Sequence, residues 1–378
     1  MGRKHIVLIV NPSSALGGGS TISYDIATNL DQEEFDVFMF FPQRGPVSQI
    51  LNRHPHIKVL ISPGQRFGSI ILFLYRFLRD HHIDIIHAHG TRSAFWIKII
   101  FPLLLLKRPK FIYTLHGLHI VRRSFLFRYF LLYIERISNI LVDTIVCPSV
   151  SVQKLVRDYK LINPTKSILI PNGVRIVNSS VTRPSDIPFS SVSFDTVITA
   201  VQRLEFPKDV STILKSFKIV QKKIHNIIFL VVGDGSLKED LLAESEKLYI
   251  SDRVFFLGDR SDVPSILSIS DIVILSSKFE ALGLSLLEAM SFKKAVIGSD
   301  VDGIREIVRD GENGFLFSFG NADDLASKIE HLALDQVLRE EMGLCGYNLV
   351  KELFSLPKMI SLYRELFIKM LYENPSNK

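Results

Sequence analysis

Short runs of β-branched and aromatic residues, too short for helices, alternate along this chain with longer stretches whose apolar positions return every three or four residues. In the first half, Ile6–Val10, Phe35–Phe41, Lys58–Ile61, Ile83–Ala88, Phe111–Leu115, Thr144–Cys147 and Ser167–Ile170 read as strands, with helices such as Gly68–His81, Phe125–Leu141 and Val150–Tyr159 between them. The interval Ile176–Asp195, rich in Ser and carrying Pro184 and Pro188, has little periodicity. A second series follows it, with strands at Thr196–Ala200, Ile227–Val232, Val254–Leu257, Asp271–Ser276 and Ala295–Gly298. Helices at Val210–Ile224, Leu237–Leu248, Val263–Ser268 and Leu284–Ser291 separate these strands, and helices from Ala322, near Leu334–Leu353 and at Pro357–Tyr372 close the chain. Apolar runs without in-out alternation predict strands buried on both faces, and the strand-helix alternation predicts right-handed crossovers and mostly parallel, doubly wound sheets. The expected organisation is a Rossmann-like domain at 1–180, a linker at 181–195, a second Rossmann-like domain at 196–355 and a terminal segment at 356–378.

A length of 378 residues and 47% hydrophobic content fit two packed cores. Two cysteines, Cys147 and Cys345, make no disulfide framework and no metal-ligand spacing, which points to a reducing, intracellular compartment. The basic start Met1–His5 with Ile6–Val10 mimics a signal peptide, but the apolar run is short and meets Asn11-Pro12, so a first strand is expected. The most apolar later stretches, Ile70–Leu78, Phe95–Leu106 and Phe125–Ile134, are interrupted by Arg76, by Lys98 with Pro102, and by Arg128. None supplies the roughly 20 apolar residues that a spanning helix needs. The net charge of +6 hides an asymmetry: residues 1–180 hold 22 Lys and Arg against 10 Asp and Glu, the remainder 23 against 29.

Chemistry concentrates in Ser277–Met290, which follows the apolar run Asp271–Ser276. A strand ending there, a loop with Glu280 and Gly283, and a helix from Leu284 are what an open α/β sheet uses to bind ligands beyond its carboxyl edge. Gly283 admits a close approach to the backbone, and the first free N–H groups of the helix suit a phosphate or diphosphate. Glu280 and Glu288 would stand roughly 12 Å apart if wholly helical, too far to share a proton but suited to two ends of one long ligand such as a nucleotide-sugar. The bland alternative is a helix cap and a solvated face, yet Glu288 lies among Leu284, Leu286, Leu287, Ala289 and Met290, where a carboxylate needs a partner.

This stretch, Glu280-Ala-Leu-Gly-Leu-Ser-Leu-Leu-Glu288-Ala-Met, resembles the signature of retaining, GT-B-fold glycosyltransferases of family 4. It departs from the family pattern at Ala281, where Gly is frequent, at Leu282, where Phe is usual, and at Lys293-Lys294, where Gly-x-Pro is usual. The resemblance implies two Rossmann-like domains facing a central cleft, with the final helix crossing back to the first domain. It also implies that Leu282, Gly283, Leu284 and Glu288 bind the donor, Glu288 through the ribose hydroxyls, while Glu280 orients the sugar.

Other strand ends are then read in two ways. Arg203 and Lys208, in Val-Gln-Arg-Leu-Glu-Phe-Pro-Lys, are either solvated loop charges or a cation pair for a diphosphate; the resemblance favours the second. Asp209, where the family has Gly after the lysine, is a further departure. His116 ends a strand in Thr-Leu-His-Gly, where a lone histidine is more often structural; family members place a histidine there beside the donor sugar. The triple glycine Gly17–Gly19 is a flexible turn or a phosphate cradle, and the family's glycine pair matches Gly18 and Gly19. By resemblance Gly235 and Gly258 line the base pocket. His87 and His89 look like a metal pair but lack a third ligand at a recognisable spacing, so they read as packing or cleft-wall residues. Asn172-Gly173 reads as a turn.

The basic and aromatic stretch from Lys107 to Arg128, continuing through Tyr129 and Phe130, carries no nucleic-acid module. Helical spacing assigns most of its aromatics to the core, and its charge suits an anionic membrane. The functional expectation is a metal-independent retaining transferase, without cofactor, peripheral on the cytoplasmic face of the membrane. It moves a sugar from a nucleotide-diphosphate donor, UDP favoured and N-acetylhexosamine one possibility, to a polyisoprenyl-diphosphate-linked or oligosaccharide acceptor in cell-surface polysaccharide synthesis. Catalysis rests on His116, Arg203, Lys208 and Glu280. A nucleotide-sugar 2-epimerase on the same fold and a non-catalytic nucleotide-binding scaffold are the alternatives.

Overall fold

The uninterrupted apolar runs form parallel strands, because strands covered by helices on both faces have no water-facing side to mark with polar residues. A computed structural model describes residues 3–15, 17–104, 108–117, 125–177, 182, 184, 187 and 195–372. The chain divides into two compact units, Met1–Asn172 with Leu356–Lys378, and Gly173–Ser355.

Unit 1 runs β1 (His5–Val10), α1 (Gly18–Asn29), β2 (Phe35–Phe41), α2 (Pro46–Leu51), β3 (Ile57–Ile61), α3 (Phe67–Asp80) and β4 (Ile85–His89). It continues through α4 (Gly90–Ile100), β5 (Lys110–Thr114), α5 (Phe125–Ser138), β6 (Thr144–Cys147), α6 (Val150–Asp158) and β7 (Ser167–Leu169). The seven strands are parallel, in the order β3-β2-β1-β4-β5-β6-β7. Right-handed crossovers put α1 and α2 on one face of this sheet and α3, α4 and α5 on the other.

Unit 2 runs β8 (Thr196–Val201), α7 (Val210–Gln221), β9 (Ile227–Val232), α8 (Lys238–Lys247), β10 (Val254–Gly258), α9 (Val263–Ile269) and β11 (Ile272–Leu275). Then come α10 (Leu284–Ser291), β12 (Ala295–Ser299), α11 (Asp302–Arg305), β13 (Phe315–Phe317), α12 (Ala322–Leu334) and α13 (Gln336–Leu353). Its six strands are also parallel, in the order β10-β9-β8-β11-β12-β13. The strand order reverses at β1 in one unit and at β8 in the other, the positions where doubly wound sheets open a crevice at their carboxyl edge. The expected doubly wound, Rossmann-like architecture is therefore present in each unit.

The last helix, α14 (Leu356–Tyr372), belongs to unit 1. Phe367 packs edge-on against Phe35 of β2, and Arg364 forms a two-pronged ion pair with Glu34. Of the expected linker 181–195, only residues 182, 184, 187 and 195 are among those described.

Three details differ from what periodicity or the family resemblance leads one to expect. β13 is three residues long, below the length at which an apolar run registers as a strand. The turn after α10 forms although Lys293 stands where glycine is usual: Lys293 takes a φ of 57°, and Lys294 turns inward, its ammonium donating to the Ser268 carbonyl at 2.9 Å. Finally, the described aromatics of α5 are not core residues. Tyr129, Phe130 and Tyr133 are 52%, 57% and 64% exposed, with Ile134 and Ile137 beside them. Lys107, Arg122 and Arg123 of the same basic stretch lie outside the described residues.

Beside Leu132, α5 turns a charge inward. Glu135 accepts a hydrogen bond from the Lys98 ammonium of α4 at 2.8 Å, the two side chains only 8% and 3% exposed, and Lys98 also stands 5.1 Å from the centre of the Tyr113 ring. Burial lowers the lysine's pKa, and Glu135 partly offsets that. Removing one partner of such a pair strands the other in a dry interior. Glu135→Leu should therefore destabilise unit 1 by about 3–5 kcal/mol in urea unfolding, and Lys98→Met combined with Glu135→Leu should recover most of the loss. Equal losses in the single and double variants would mean that the pair is not what holds this contact.

Candidate active site

In unit 2 the candidate residues sit at the carboxyl ends of β8 and β11, which are hydrogen-bonded neighbours. Their loops are stitched together by backbone. Asp209 N–H donates to the Ser276 carbonyl at 3.1 Å, Lys278 N–H to the Pro207 carbonyl at 3.0 Å, and Lys208 and Ser277 form an isolated antiparallel bridge. Ser277 is tied in turn to β12, its N–H donating to Ser299 Oγ at 2.9 Å and its carbonyl accepting from that hydroxyl at 2.7 Å. On this frame the Lys208 ammonium reaches Glu280 Oε2 in a largely buried ion pair. Arg203, by contrast, is exposed and pairs within its own loop with Glu205.

Gly283 ends the second loop with φ 85° and ψ 54°, a conformation that a side chain would strain, and no side chain caps the helix that follows. The first N–H groups of α10 are thus left for a ligand or water. Leu284 and Glu288, four residues apart on one face of α10, are half-buried, whereas Leu286, Leu287, Ala289 and Met290 are buried. The helix is apolar on every side but this one, and Glu288 lies on it. The Leu282 side chain is sealed in the core with Leu275, Leu286 and Ile304.

The other strand ends join the same edge. Leu204 N–H donates to the Asp234 carbonyl at 2.9 Å, and Gly233 N–H donates to the Gly258 carbonyl at 2.8 Å. A Cβ on Gly235 would fall 2.4 Å from the Leu204 carbonyl oxygen, so only glycine lets these loops close up. The Asp234 carboxylate takes the Lys238 ammonium at 2.8 Å and the Gly235 N–H at 2.7 Å, which hold its pKa below the usual carboxylate value. One residue that the sequence did not single out belongs here: Gln202, beside Arg203, is buried with neither amide atom hydrogen-bonded among the described residues.

Unit 1 has its own constellation. Gly18 and Gly19 are the first residues of α1, again without a side-chain cap. Gly19 faces His116, whose Cδ2 would lie 3.3 Å from an added Cβ. His116 follows β5, and its Nε2 is 3.0 Å from Nδ1 of His89 at the end of β4, the two rings stacked at 5.2 Å. Behind them His87 Nε2 is 2.7 Å from Thr114 Oγ1, which is 3.2 Å from the Tyr363 hydroxyl of α14. Burial pushes His116 down to about 4 and His87 to about 3, and holds His89 well below the ordinary histidine value with help from its two neighbours. All three imidazoles are neutral at neutral pH. His87 packs as the sequence reading has it, but His89 is more than a wall: it is hydrogen-bonded to the candidate site histidine. Two histidines at alternate strand positions gave that signal only once β4 and β5 were known to pair, His89 opposite Thr114.

Known proteins resemble this chain in sequence and in fold. The family models described as Glycosyltransferase Family 4 and Glycosyl transferases group 1 match residues 16–177 and 188–348. A galactosyltransferase of Escherichia coli, named UDP-Gal:alpha-D-GlcNAc-diphosphoundecaprenol alpha-1,3-galactosyltransferase, is 25% identical over 374 residues, 94% of this chain and 95% of its own. N-acetyl-alpha-D-glucosaminyl L-malate synthase of Bacillus anthracis is 32% identical over 171 residues, 45% of each chain. Among solved structures, Anabaena HepE in complex with UDP and glucose superposes with a TM-score of 0.83 at 22% identity, covering 97% of this chain and 100% of that one. With its two halves matched by these two models and its fold shared with HepE, the chain belongs to the GT-B glycosyltransferases of family 4.

Proposed function

We propose that the chain transfers a hexose or N-acetylhexosamine from a UDP-sugar, with retention and without a metal, to a polyisoprenyl-diphosphate-linked acceptor in glycan biosynthesis. The observation that carries this reading is the Lys208–Glu280 pair, held by backbone stitching beside the uncapped start of α10. A cation, a carboxylate and free helix N–H groups at one sheet edge are the parts that a sugar diphosphate requires. The name of the Escherichia coli relative, with its UDP-galactose donor and diphosphoundecaprenol acceptor, and the UDP and glucose bound in HepE support the donor and acceptor classes.

In this reading the diphosphate lies over the α10 N-terminus with Lys208 and Arg203 offsetting its charge, and Glu288 accepts hydrogen bonds from the ribose. Glu280 orients the sugar, and His116 is the catalytic candidate of unit 1. The bond from the anomeric carbon to the diphosphate oxygen breaks first, leaving oxocarbenium character on the sugar. The acceptor hydroxyl then bonds that carbon on the same face, and its proton goes to the departing diphosphate. No protein nucleophile takes part. Lys208 must exchange Glu280 for the diphosphate as the donor enters.

A membrane-facing acceptor is supported by the outward side of unit 1. Phe95 and Ile99 of α4 and Tyr129, Phe130, Tyr133 and Ile137 of α5 are exposed, and among the described residues no helix is long and apolar enough to cross a membrane. α4 has no acidic residue, and the single one of α5 is the buried Glu135, so the outward charges of these helices, such as Arg92 and Arg136, are positive. An apolar stripe with interfacial tyrosines and arginines fits the headgroup region of an anionic bilayer.

UDP should raise the melting temperature in a metal-free thermal-shift screen while ADP and GDP do not, and Glu288→Ala should abolish the shift without lowering the melting temperature of the free protein. An unchanged shift would remove the ribose assignment. Lys208→Ala should reduce transfer about a hundredfold or more, EDTA should leave wild-type transfer intact, and dependence on a divalent cation would overturn the metal-free mechanism. Vesicles of phosphatidylglycerol should retain the protein at low salt, with Tyr133→Asp and Ile137→Asp releasing it; equal retention of both variants would place the membrane contact elsewhere.

A further inference from the structure

We propose that His89 is a positioning residue for His116, fixing its imidazole as the Nδ1–H tautomer so that it meets the substrate as a hydrogen-bond donor. The inference rests on the reading that His116 serves sugar transfer. It starts from one contact, His89 Nδ1 to His116 Nε2 at 3.0 Å. At that distance one nitrogen carries the proton and the other accepts it, since two lone pairs or two N–H groups would repel.

The remaining nitrogen of His89 decides which. His89 Nε2 is buried and has no hydrogen-bond partner among the described residues. If His116 were the donor, a neutral His89 would carry its own proton on Nε2, leaving an N–H buried with nothing to receive it. If His89 donates through Nδ1, its Nε2 is only a lone pair. Buried N–H groups without acceptors are among the rarest defects of folded proteins, so the second arrangement is the favoured one. His116 then accepts at Nε2 and carries its proton on Nδ1.

The surroundings lock this choice. Gly19 lies against the His116 ring edge, and the stacked His89 ring limits its rotation from the other side. His89 itself is packed at 4.2 Å between ring centres against His87, which the Thr114 and Tyr363 hydroxyls hold in place. Burial keeps the three imidazoles uncharged, so no proton enters to scramble the tautomers near neutral pH. A neutral imidazole presenting N–H supports a hydroxyl or a developing oxyanion and does not act as a base. That matches a mechanism in which the acceptor proton leaves on the diphosphate.

The test is the tautomer itself, read by long-range proton–nitrogen correlation spectra of the full-length protein labelled with 15N-histidine, with the His116 signals assigned by their loss in His116→Gln. We expect protonated Nδ1 and bare Nε2 for His116 in the wild type and in His89→Asn, whose side-chain amide replaces the Nδ1–H donor. In His89→Leu we expect mixed tautomers, with kcat for transfer about tenfold lower, KM for the nucleotide-sugar little changed, and most of the loss recovered in His89→Asn. His116 protonated at Nε2 in the wild type, or an unchanged tautomer in His89→Leu, would overturn the proposal. Should the leucine variant fail to fold, the wild-type and asparagine spectra still decide it. A protein inactive with every nucleotide-sugar would instead refute the transferase role of His116 while leaving the tautomer readout intact.

Discussion

Parallel strand pairing is the constraint on which the candidate site depends. Every strand of a parallel sheet delivers its following loop to the same edge, so residues far apart in sequence meet there without any attraction of their own. Lys208 and Glu280, 72 residues apart, are the clearest case. A largely buried ion pair gives back much of its attraction as desolvation and could not by itself arrange two loops. The arrangement comes from the β8–β11 pairing and from the backbone hydrogen bonds that run on past the strand ends, through Asp209 and Lys278, into the loops. The pair is a result of the fold, held by a backbone frame that does not depend on it.

The same logic operates in unit 1 with neutral groups. β4 and β5 bring His87, His89 and His116 together, and α14, contributed by the far end of the chain, packs Tyr363 and Phe367 against the innermost of them, His87. Burying three imidazoles side by side works only while all are uncharged, because a second charge in that space would meet both desolvation and its neighbour. The cost of charging thus defines the chemistry: these histidines can direct hydrogen bonds through the one proton each carries, and burial disfavours a second.

Much of this was legible in the sequence because strand and helix runs differ in length and apolar spacing, and the loop motif Glu280–Met290 carries its own chemistry. What stayed hidden depended on which strands become neighbours. His89 could not be told from a packing residue without β4 beside β5. Gln202 looks like any polar loop residue until its amide is found buried. Lys293 reads as a departure from a glycine position, yet the backbone accepts the left-handed turn there, with the ammonium lying over the Tyr347 ring. The α5 aromatics misled for a simpler reason: helical spacing reports that residues share a face, and it cannot say whether that face meets the sheet or the solvent.

That ambiguity has a physical resolution in α5. The helix is apolar on two sides, with Leu132 turned inward and Tyr133 outward, so hydrophobic burial alone barely distinguishes one rotation about its axis from another. Glu135 does distinguish them. It finds a buried cation only when it faces Lys98, and any other rotation strands Lys98 in the interior without its partner. A buried pair of this kind adds little net stability over apolar replacements, but it penalises the wrong packing heavily, which is how a polar group specifies orientation. The outward stripe of Tyr129, Phe130, Tyr133 and Ile137 is in this sense set from underneath: the charge held inside determines which apolar face is offered outside.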